Sequence, residues 1–508
     1  MHAKVLICGA GPTGLVAAIK LIRFGVEVDI IDSRKQPSEL SRAAAVWQRT
    51  LEVLHHDVPA TRFIERARVL KGIHVAVKDR ILRTIEYPPF KGCFPTGLLI
   101  PQAETEMVLI DALRDLGVEV RRGVALKGFE ATGDGVEVEL ESDHGEETRE
   151  YQWLLGADGA RSTVRHCLGI EFPGTTDSQR WLLGDLDLED HGEEDWMSVF
   201  FAREGLSAMF PYGGGRWRIV ADGGSVTPET PPMDPTLAEM EAILRSRTGI
   251  KSGIESSTWL AEFRINERIV DSYHHGRVLL MGDAAHIHSP IGGQGMNTSI
   301  QDAVNLAWKL AMVVRGEADE SLLTTYQAER HKVGKSVVKA TTLALTFAEM
   351  KNPIARFIRV HVIPKVMGLG FMQRKLIHAT SEVGIDYRHG PLDDRGDGWI
   401  GMRLPDLPLV EGGDVVYESI DTTGFTVLAF DESSFTTGGG WDKAIAAAGS
   451  GVGILRTKSS DAEGSPLRRA LRMKKGEIAV IRPDTYLGPV TSDPDRIVRW
   501  FEDLRALG

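Results

Sequence analysis

A glycine-rich turn near the amino terminus has the spacing of a phosphate-binding loop. Gly9, Gly11 and Gly14 stand between a short apolar run and a stretch with helical spacing of apolar residues. In such a turn the first glycine permits a tight bend, the second lets the backbone approach a pyrophosphate, and the third allows close packing of helix on strand. Asp32 ends the next β-branched run, where a carboxylate can accept hydrogen bonds from a ribose. These residues predict a dinucleotide site; a purely structural glycine turn is the alternative.

A second candidate site lies far along the chain. The apolar run Val278 to Met281 ends in Gly282-Asp283, and the loop from Pro290 to Gly295 leads into a helix. Such a loop directs several backbone N–H groups and the positive end of a helix at one point, which suits an anionic group. A reduced flavin carries negative charge at its N1 and C2 carbonyl region, so this loop would stabilise it. The alternative is a strand-to-helix turn in which Asp283 is a helix cap.

A third motif contains an Asp-Gly pair. The stretch Gly156 to Arg165 follows the apolar strand end Trp153 to Leu155, and Asp158 is its first acidic residue. Taken alone, Asp-Gly is also a common turn dipeptide. We expect the amino-terminal turn and the later glycine-rich loop to converge on opposite ends of one cofactor.

The elements that position these motifs begin with a βαβ unit. Lys4 to Cys8 is predicted to be a strand, Gly9 to Gly14 a turn, Leu15 to Phe24 a helix that stops at Gly25, and Val26 to Ile31 a second strand. This order implies a parallel sheet with helices on its faces.

Later parts of the chain have different patterns. A helix is predicted from Glu104 to Leu116, and the strand-rich stretch Trp181 to Phe263 is predicted to be a separate layer inserted into the first domain. Long helical spacing runs from Asp302 to about Ala348. The Gly- and Asp-rich stretch Asp386 to Gly401 is predicted to be a linker into a C-terminal domain.

The composition excludes several classes of function. The chain has 508 residues, of which 42% are hydrophobic and 26% charged, an ordinary balance for a soluble protein. Its net charge of -12 argues against nucleic-acid binding, which needs clustered Lys and Arg. Three cysteines in no metal-type spacing suit a reducing cytoplasm. The most apolar stretch, Phe357 to Met372, is too short and too charged to span a bilayer.

Together, and in this order, the three motifs resemble those of flavoprotein monooxygenases of the para-hydroxybenzoate hydroxylase type. Ser41 to Ala44, Ile100 to Gln102 and Tyr326 to Arg330 extend the resemblance over most of the chain. The resemblance implies that FAD is the cofactor and that Asp158 is tied to both FAD and the reduced nicotinamide cofactor. One departure is the sequence Asp32-Ser33-Arg34, where many relatives have Glu followed directly by Arg.

The resemblance also implies the cofactor contacts, which share three features: glycine turns for the pyrophosphate, an acid for the adenosine ribose, and a loop along the isoalloxazine ring. The implied contacts are Gly9, Gly11, Pro12, Thr13, Gly14, Asp32, Ser33, Arg34, Arg42, Gln102, Asp158, Gly282, Asp283, Pro290, Gly292, Gly293, Gly295, Met296 and Asn297.

The implied reaction is hydroxylation of an electron-rich ring. NADPH or NADH would reduce FAD, the reduced flavin would add O2 at C4a, and the hydroperoxide would hydroxylate a phenolic or polycyclic aromatic substrate. Trp47 is expected on a helix after Arg42, and no residue is identified as the base. The predicted substrate contacts are Trp47, Phe210, Pro211, Tyr212, Pro290 and Ile291.

Other functions remain open on the same scaffold. An antibiotic-modifying hydroxylase, a reductase or a halogenase would share these motifs, although the WxWxIP-type motif of halogenases is missing from the sequence. A non-catalytic flavin-binding protein is an alternative from another class. His286 and His288 have no evident third ligand nearby, so no metal site is predicted.

The C-terminal region resembles the thioredoxin-like tail of the phenol hydroxylase branch, through Gly401 to Asp406, Thr423 to Leu428 and Val480 to Gly488. No cysteine follows Cys167, so this tail cannot perform dithiol chemistry and is expected to be structural or to support a homodimer.

The predicted fold class is α/β: a Rossmann-like FAD-binding domain with an inserted β-sheet substrate domain, a helical segment and a thioredoxin-like C-terminal domain. The predicted domains are residues 1–72, 98–176 and 266–340 for FAD, 73–97 and 177–265 for substrate, 341–395 for the helical segment and linker, and 396–508 for the C-terminal domain.

Overall fold

The computed structural model describes residues 4–38, 43–88, 94–189, 193–202, 204–227, 230–251, 253–290, 292–349, 354, 357–393, 398–430, 440–449, 452–456 and 464–507. Within them the chain has the mixed α/β architecture predicted from the sequence. A mainly parallel sheet, a larger mainly antiparallel sheet, two small sheets of three strands and a C-terminal sheet are connected by helices.

The strands that precede the three motifs are short, and the strands of the large sheet are longer. In the first third of the chain they are β1 Val5–Cys8, β2 Val28–Asp32, β3 Ala45–Trp47, β4 Arg68–Val69, β5 Gly72–Val77, β6 Arg80–Glu86, β7 Gly97–Leu99, β8 Arg121–Arg122, β9 Val124–Ala131, β10 Val136–Ser142, β11 Gly145–Tyr151 and β12 Trp153–Gly156. The later strands are β13 Gly174–Leu188, β14 Trp196–Phe201, β15 Leu206–Gly213, β16 Arg216–Ser225, β17 Ile254–Ile269, β18 His274–His275, β19 Val278–Leu280, β20 His286–Ile287, β21 Thr426–Ala429, β22 Gly453–Arg456, β23 Ile478–Ile481 and β24 Leu487–Thr491.

The helices are longest in the middle of the chain. They are α1 Pro12–Arg23, α2 Gln48–Leu54, α3 Ala60–Ile64, α4 Gln102–Asp115, α5 Thr163–Cys167, α6 Leu237–Thr248, α7 Gly295–Val314, α8 Thr324–Glu349, α9 Ile363–Val366, α10 Gly370–Thr380, α11 Gly440–Ala447, α12 Pro466–Ala470 and α13 Pro494–Arg505. Short 3-10 turns lie at Gly282–Ala284, Glu320–Leu323 and Val416–Glu418, and a π turn at Ile358–Val362.

The parallel sheet has the strand order β18-β19-β12-β1-β2-β8. The five strands from β19 to β8 run parallel, and β18 pairs antiparallel with β19 at one edge. β1, β12 and β19 are buried along their whole length, as expected for strands covered on both faces. The helix after β1 begins at Pro12, whose fixed φ and missing N–H suit a first helical position, so the turn predicted over Gly9–Gly14 is shorter than expected.

The large sheet has the order β20-β17-β13-β16-β15-β14-β5-β6. The inserted strand-rich layer is therefore confirmed, and the earlier hairpin β5–β6 completes it. The stretch Trp181 to Phe263 also contains a helix, α6, whose Met240 is buried in one hydrophobic cluster with Met209 and Trp217 of the sheet. The opposite face is directed toward β3 and β7.

Trp47 does not lie on the predicted helix after Arg42; it is the last residue of β3. This strand pairs with β7, where Trp47 lies opposite Gly97. A Cβ atom on Gly97 would lie 2.5 Å from the indole ring, so the glycine leaves the space that the ring occupies. Helix α2 begins only at Gln48.

The helical stretch predicted from Asp302 to about Ala348 consists of two helices. α7 begins seven residues earlier than predicted, at Gly295, and Gly316 follows its end with a φ of 72°. Because glycine adopts this left-handed conformation without strain, the chain can turn here before α8 begins at Thr324.

The C-terminal sheet has the order β22-β21-β23-β24, with β22 parallel to β21 and the other pairs antiparallel. Its Arg482 is fully buried and pairs with Glu329 of α8 and with Asp484. Tyr387, in the stretch predicted as a linker, is also buried, and its hydroxyl accepts a hydrogen bond from Arg330. The thioredoxin-like assignment and the domain boundaries remain predictions.

Across the part of the chain that the structure describes, no helix is both long and apolar enough to cross a membrane.

Candidate functional site

The three motifs meet at one edge of the parallel sheet. β1, β12 and β19 run in the same direction, so the residues that follow them lie side by side. A Cβ atom on Gly9 would lie 2.4 Å from the carbonyl oxygen of Ala157, and one on Gly282 would lie 2.9 Å from Oγ1 of Thr13. The three motifs are distant in the sequence but in contact in the structure. Side chains at these two glycines would push them apart.

The glycines of the first motif have different surroundings. A Cβ atom on Gly14 would lie 1.9 Å from the carbonyl oxygen of Gly9, so this position requires glycine for packing. A Cβ atom on Gly11 would meet none of the described residues within 4 Å. Gly11 therefore borders open space at the N-terminus of α1, where a phosphate can approach the backbone. Pro12 and Thr13 are buried in the first turn of this helix.

Asp32 lies at the end of β2 with both carboxylate oxygens occupied. One oxygen accepts from the backbone N–H of Ala10 at 2.9 Å, and the other from the backbone N–H of Arg34 at 2.8 Å. The Arg34 side chain donates to both oxygens. Burial raises the pKa of Asp32, but these hydrogen bonds outweigh burial and the pKa lies below its usual value. Ser33 and Arg34 are exposed beside it.

Asp158 follows β12 beside the glycine turn. One carboxylate oxygen accepts from the backbone N–H of Val164 at 3.1 Å, which ties the motif to the first turn of α5. The other oxygen, Oδ1, is buried and has no hydrogen-bond partner among the described residues. Burial raises the pKa of this carboxyl group. An unpartnered buried oxygen at this position indicates that a ligand group or water completes the site.

Gln102 connects helix α4 to the segment before β3. Its side-chain Oε1 accepts a hydrogen bond from the backbone N–H of Ala43 at 3.1 Å. Its backbone N–H donates a hydrogen bond to the carbonyl of Ala43, also at 3.1 Å. Gln102 is therefore a half-buried link between α4 and this segment rather than a free surface residue. Arg42, its predicted companion, lies outside the described residues.

The later loop is held against Trp47. The indole Nε1 donates to the carbonyl oxygens of Gly292 and Gly293 at 3.1 Å, and the two glycines have φ values of 86° and 63°. Asn297, in the first turn of α7, donates to the carbonyls of Ala45 and Gly293 at 3.0 Å. These contacts present the N-terminus of α7 to the same cleft as the glycine turn.

The other predicted residues of this region have mixed positions. Asp283 is half-buried in the 3-10 turn that begins at Gly282, Gly295 opens α7, and Met296 is half-buried against the core. Pro290 is exposed, and its carbonyl accepts from the N–H of Gly293. Ile291 lies outside the described residues.

Asp302 is a fully buried residue that the sequence analysis did not single out. Its Oδ2 accepts from the backbone N–H of Gly282 at 3.0 Å and lies 2.6 Å from Nε2 of His286, and its Oδ1 accepts from Arg330 at 2.6 Å. Arg330 also donates to the carbonyl of Thr298. The cluster therefore fixes the Gly-Asp turn to α7 and α8. The only sequence signal for it was the resemblance noted over Tyr326 to Arg330.

Two of the predicted substrate contacts share one face of the large sheet. Burial alternates along β15, so Phe210 and Tyr212 lie on the face toward Trp47, whereas Pro211 lies on the other face. The hydroxyl of Tyr212 is buried with no hydrogen-bond partner among the described residues, and burial raises its pKa. Pro211 is therefore a poor candidate for a substrate contact.

We call this surface the apolar wall. Its members are buried or half-buried apolar side chains from five parts of the chain that pack in one cluster. The apolar wall consists of Trp47, Tyr87, Met197, Val199, Phe201, Phe210, Tyr212, Met367, Leu376 and Ile377.

One charged residue, also missed from the sequence, lies beside the apolar wall. Arg218 is 1% exposed and donates two hydrogen bonds to Asp185, at 2.8 and 2.7 Å. Its third donor reaches the carbonyl of Ala43 at 3.2 Å, and its guanidinium lies 5.5 Å from the ring of Tyr212. Arg218 therefore connects the large sheet to the segment that holds Gln102.

The residues at this edge of the sheet fit FAD. Open space at Gly11 suits a pyrophosphate, the buried Oδ1 of Asp158 has no hydrogen-bond partner among the described residues, and the N-terminus of α7 meets the apolar wall at Trp47. The described residues contain no group of three or more His, Cys, Asp or Glu side chains that would hold a metal ion.

The sequence and the structure both match known flavoproteins. Residues 2–341 match the family described as FAD binding domain. The chain is 33% identical over 517 aligned positions to the 6-methylpretetramide 4-monooxygenase of Streptomyces rimosus, covering 95% of this chain and 90% of that protein. It is 34% identical over 450 positions to the rifampicin monooxygenase of Streptomyces venezuelae, covering 87% and 90%. The solved structure of the anhydrotetracycline hydroxylase OxyS from Streptomyces rimosus is similar with a TM-score of 0.79 and 29% identity, covering 97% of this chain and 96% of that one.

Proposed function

This chain belongs to the FAD-binding family of flavin-dependent aromatic monooxygenases, and from that premise we propose that it uses NADPH or NADH to hydroxylate a polycyclic aromatic substrate that carries a phenolic hydroxyl group. The contact between Trp47 and Gly292-Gly293 supports this proposal most directly, because it places the apolar wall beside the loop expected to edge the flavin ring. The tetracycline-type and rifampicin substrates in the names of the relatives support a polycyclic ring system.

When bound, FAD would accept a hydride from the nicotinamide cofactor and would then activate O2. The protein would hold the pyrophosphate at Gly11 and the N-terminus of α1, and the flavin ring along Gly292 to Asn297. The backbone N–H groups of this loop and the positive end of α7 would stabilise negative charge on the ring. Asp158 and Asp283 would contact the cofactor between these two ends.

The apolar wall would bind the substrate and exclude water. Phe210 and Trp47 offer ring surfaces on which a flat aromatic molecule can stack. The Tyr212 hydroxyl, buried and unpartnered among the described residues, would donate a hydrogen bond to a substrate oxygen and so orient the ring. A water-excluding cleft would also prevent loss of the activated oxygen to solvent.

The test is oxidation of NADPH and NADH by the purified, FAD-loaded protein in the presence of phenols, tetracyclic polyketides and rifampicin. The proposal is supported if a substrate stimulates this oxidation and mass spectrometry finds a product that is heavier than the substrate by the mass of one oxygen atom. Oxidation that no aromatic compound stimulates would favour a non-catalytic flavin-binding protein.

A second candidate function is hydroxylation of a complete antibiotic, instead of hydroxylation of a precursor during its biosynthesis. The 34% identity to a rifampicin monooxygenase favours including it. Turnover of rifampicin but not of tetracyclic precursors in the same assay would support this second candidate. The proposed domain boundaries and a homodimeric state are separate proposals, which limited proteolysis and light scattering would test.

A further inference from the structure

The segment from residue 354 to residue 371 exposes a concentration of large apolar side chains. Six of the eleven such side chains that are exposed among the described residues lie here, each between 38% and 73% exposed. Single exposed apolar residues are normal on a protein surface, whereas a group of them marks an interaction site. We call this surface the outer face, and its apolar members are Ile354, Phe357, Val362, Val366, Leu369 and Phe371.

The apolar side chains of the outer face follow helical spacing. Phe357, Val362 and Val366 are four or five positions apart along the π turn and α9, and all three are exposed. Pro364 is buried and Met367 is half-buried in the same stretch. A spacing of about one helical turn places the exposed side chains on one side. Met367 belongs to the apolar wall, so the other side of the stretch contacts the interior.

The charge of this part of the chain is opposite to that of the whole protein. Residues 350–381 include six Lys and Arg and no Asp or Glu, although the chain as a whole has a net charge of -12. The described Lys365, Arg374 and Lys375 are exposed. The strand β6, which lies beside α9, adds two arginines and one glutamate. The outer face therefore combines apolar and positively charged side chains in an otherwise acidic protein.

Another protein or a lipid bilayer could cover an apolar face of this kind. Lysine is depleted in the cores of protein interfaces. A helical segment that lies on an anionic bilayer instead carries Phe and Leu together with Lys and Arg, because the rings enter the acyl boundary while the cations reach the lipid phosphates. The composition of the outer face matches the second pattern. We propose that the outer face binds the surface of a membrane that contains anionic lipids.

The position of the outer face connects it to the apolar wall. Met367, Leu376 and Ile377, from the same part of the chain, are members of that wall. Binding through the outer face would therefore hold the apolar wall near a bilayer, in which a polycyclic aromatic compound dissolves more readily than in water. This link to substrate supply rests on the proposed function, whereas membrane binding itself does not.

The experiment measures binding of the full-length, FAD-loaded protein to lipid vesicles by flotation through a density gradient. Vesicles of phosphatidylglycerol and phosphatidylcholine in equal amounts are compared with vesicles of phosphatidylcholine alone. We expect binding to the neutral vesicles to be weaker by about tenfold or more. Binding to the anionic vesicles should fall by about tenfold or more between about 0.05 M and about 0.5 M salt, because salt screens exposed charges.

Two double variants test the two kinds of side chain separately. Phe357→Ser with Phe371→Ser removes two exposed rings, and Arg374→Gln with Lys375→Gln removes two positive charges. Each double variant should raise the Kd for anionic vesicles about tenfold or more. Unchanged Tm and flavin content would show that the variants are folded.

The matched controls make the same changes outside the outer face. Met233→Ser with Leu237→Ser removes exposed apolar side chains, and Lys474→Gln with Lys475→Gln removes exposed charges. Both controls should bind anionic vesicles as tightly as the unchanged protein. Loss of binding in a control equal to the loss in its matched variant would overturn the proposal, because the effect would not belong to the outer face.

Three further results would also overturn the proposal. The first is no binding to anionic vesicles at low salt, and the second is equal binding to anionic and neutral vesicles. The third is a dimer, detected by light scattering without lipid, that dissociates in the Phe357→Ser, Phe371→Ser variant, since the outer face would then bind a second copy of the chain. Absence of hydroxylation would contradict the proposed function but would leave these binding results intact.

Discussion

The side-chain oxygen of Asn297 accepts a hydrogen bond from the backbone N–H of Trp47 at 2.9 Å, although 250 residues separate the two. The nitrogen of the same amide donates to the carbonyl of Ala45 at 3.0 Å. One buried side chain therefore completes the hydrogen bonding of β3 and fixes it to the first turn of α7. The apolar wall and the glycine-rich loop consequently keep a fixed relative position.

Replacing Asn297 by Ala should weaken the fold and the hold on FAD together. The Trp47 N–H and the Ala45 carbonyl would lose their side-chain partner in the interior, at roughly 1–3 kcal/mol for each buried group left unsatisfied. We expect a lower Tm and a lower ratio of flavin absorbance to protein absorbance after purification. Asn266→Ala, on the half-buried strand β17, is the control. An N297A protein with unchanged Tm and full flavin would show that the bridge is dispensable.

Two glycines of the first motif should respond differently to the same substitution. In Gly14→Ala the new Cβ atom would lie 1.9 Å from the carbonyl oxygen of Gly9, so we expect insoluble or unfolded protein. In Gly11→Ala the Cβ atom meets no atom of the described residues within 4 Å, so the flavin-free protein should keep its Tm. Its Kd for FAD should nevertheless rise about tenfold or more, because the added methyl group occupies the approach of the pyrophosphate.

The control for this pair is Gly133→Ala, an exposed glycine whose Cβ atom would also meet nothing within 4 Å. It should change neither Tm nor FAD binding. If Gly11→Ala bound FAD as tightly as the unchanged protein, the pyrophosphate would not approach the backbone at Gly11. Thermal unfolding of the flavin-free proteins and fluorescence titration with FAD provide both readouts.

Arg330→Met should be strongly destabilising. The guanidinium donates to Asp302, to the Tyr387 hydroxyl and to the Thr298 carbonyl, and both it and Asp302 are fully buried. Removing one partner of a buried ion pair costs about 3–5 kcal/mol, because the other charge remains uncompensated. We expect a lower Tm and loss of flavin, since Asp302 also holds the N–H of Gly282.

The double variant Arg330→Met, Asp302→Leu distinguishes charge from packing in this cluster. Removing both charges should restore part of the lost stability, because no uncompensated charge remains in the interior. Arg245→Met, an exposed arginine paired with Glu241 on the surface of α6, is the matched control. A double variant no more stable than Arg330→Met would mean that the hydrogen bonds to Thr298 and Tyr387 dominate.

The sequence predicted those parts of the structure that depend on local pattern. The glycine turn that begins at Gly9, the buried apolar strands around it and the inserted strand-rich layer all follow from spacing and from the periodicity of apolar residues, although the turn ends earlier than predicted. The convergence of the turn with Gly282 also agrees with the structure, since Gly282 packs directly against Thr13. The parallel sheet makes this convergence a consequence of topology.

Features that depend on long-range pairing could not be predicted in the same way. Asp302 and Arg330 resemble ordinary helix residues until α7 and α8 pack together and bury both side chains. The strand at Trp47 exists because Gly97 leaves room for an indole ring, which no local pattern reveals. Tertiary packing of this kind overrides local propensity.

Glu382 should make the stability of this protein depend on pH. It is fully buried, its Oε1 accepts from the Thr298 hydroxyl at 2.9 Å, and burial raises its pKa from 4.5 to about 8. Between these values the unfolded chain carries the ionised carboxylate while the folded protein keeps the proton, so raising the pH favours unfolding, by about 1.4 kcal/mol per pH unit.

Glu382→Gln cannot ionise, and its stability relative to the unchanged protein should therefore increase from pH 5 to pH 7.5 and level off above about 8. Thermal unfolding across this range measures the difference, with the exposed Glu119→Gln as the control that should follow the unchanged protein. Parallel pH profiles for Glu382→Gln and the unchanged protein would show that Glu382 ionises alike in both states.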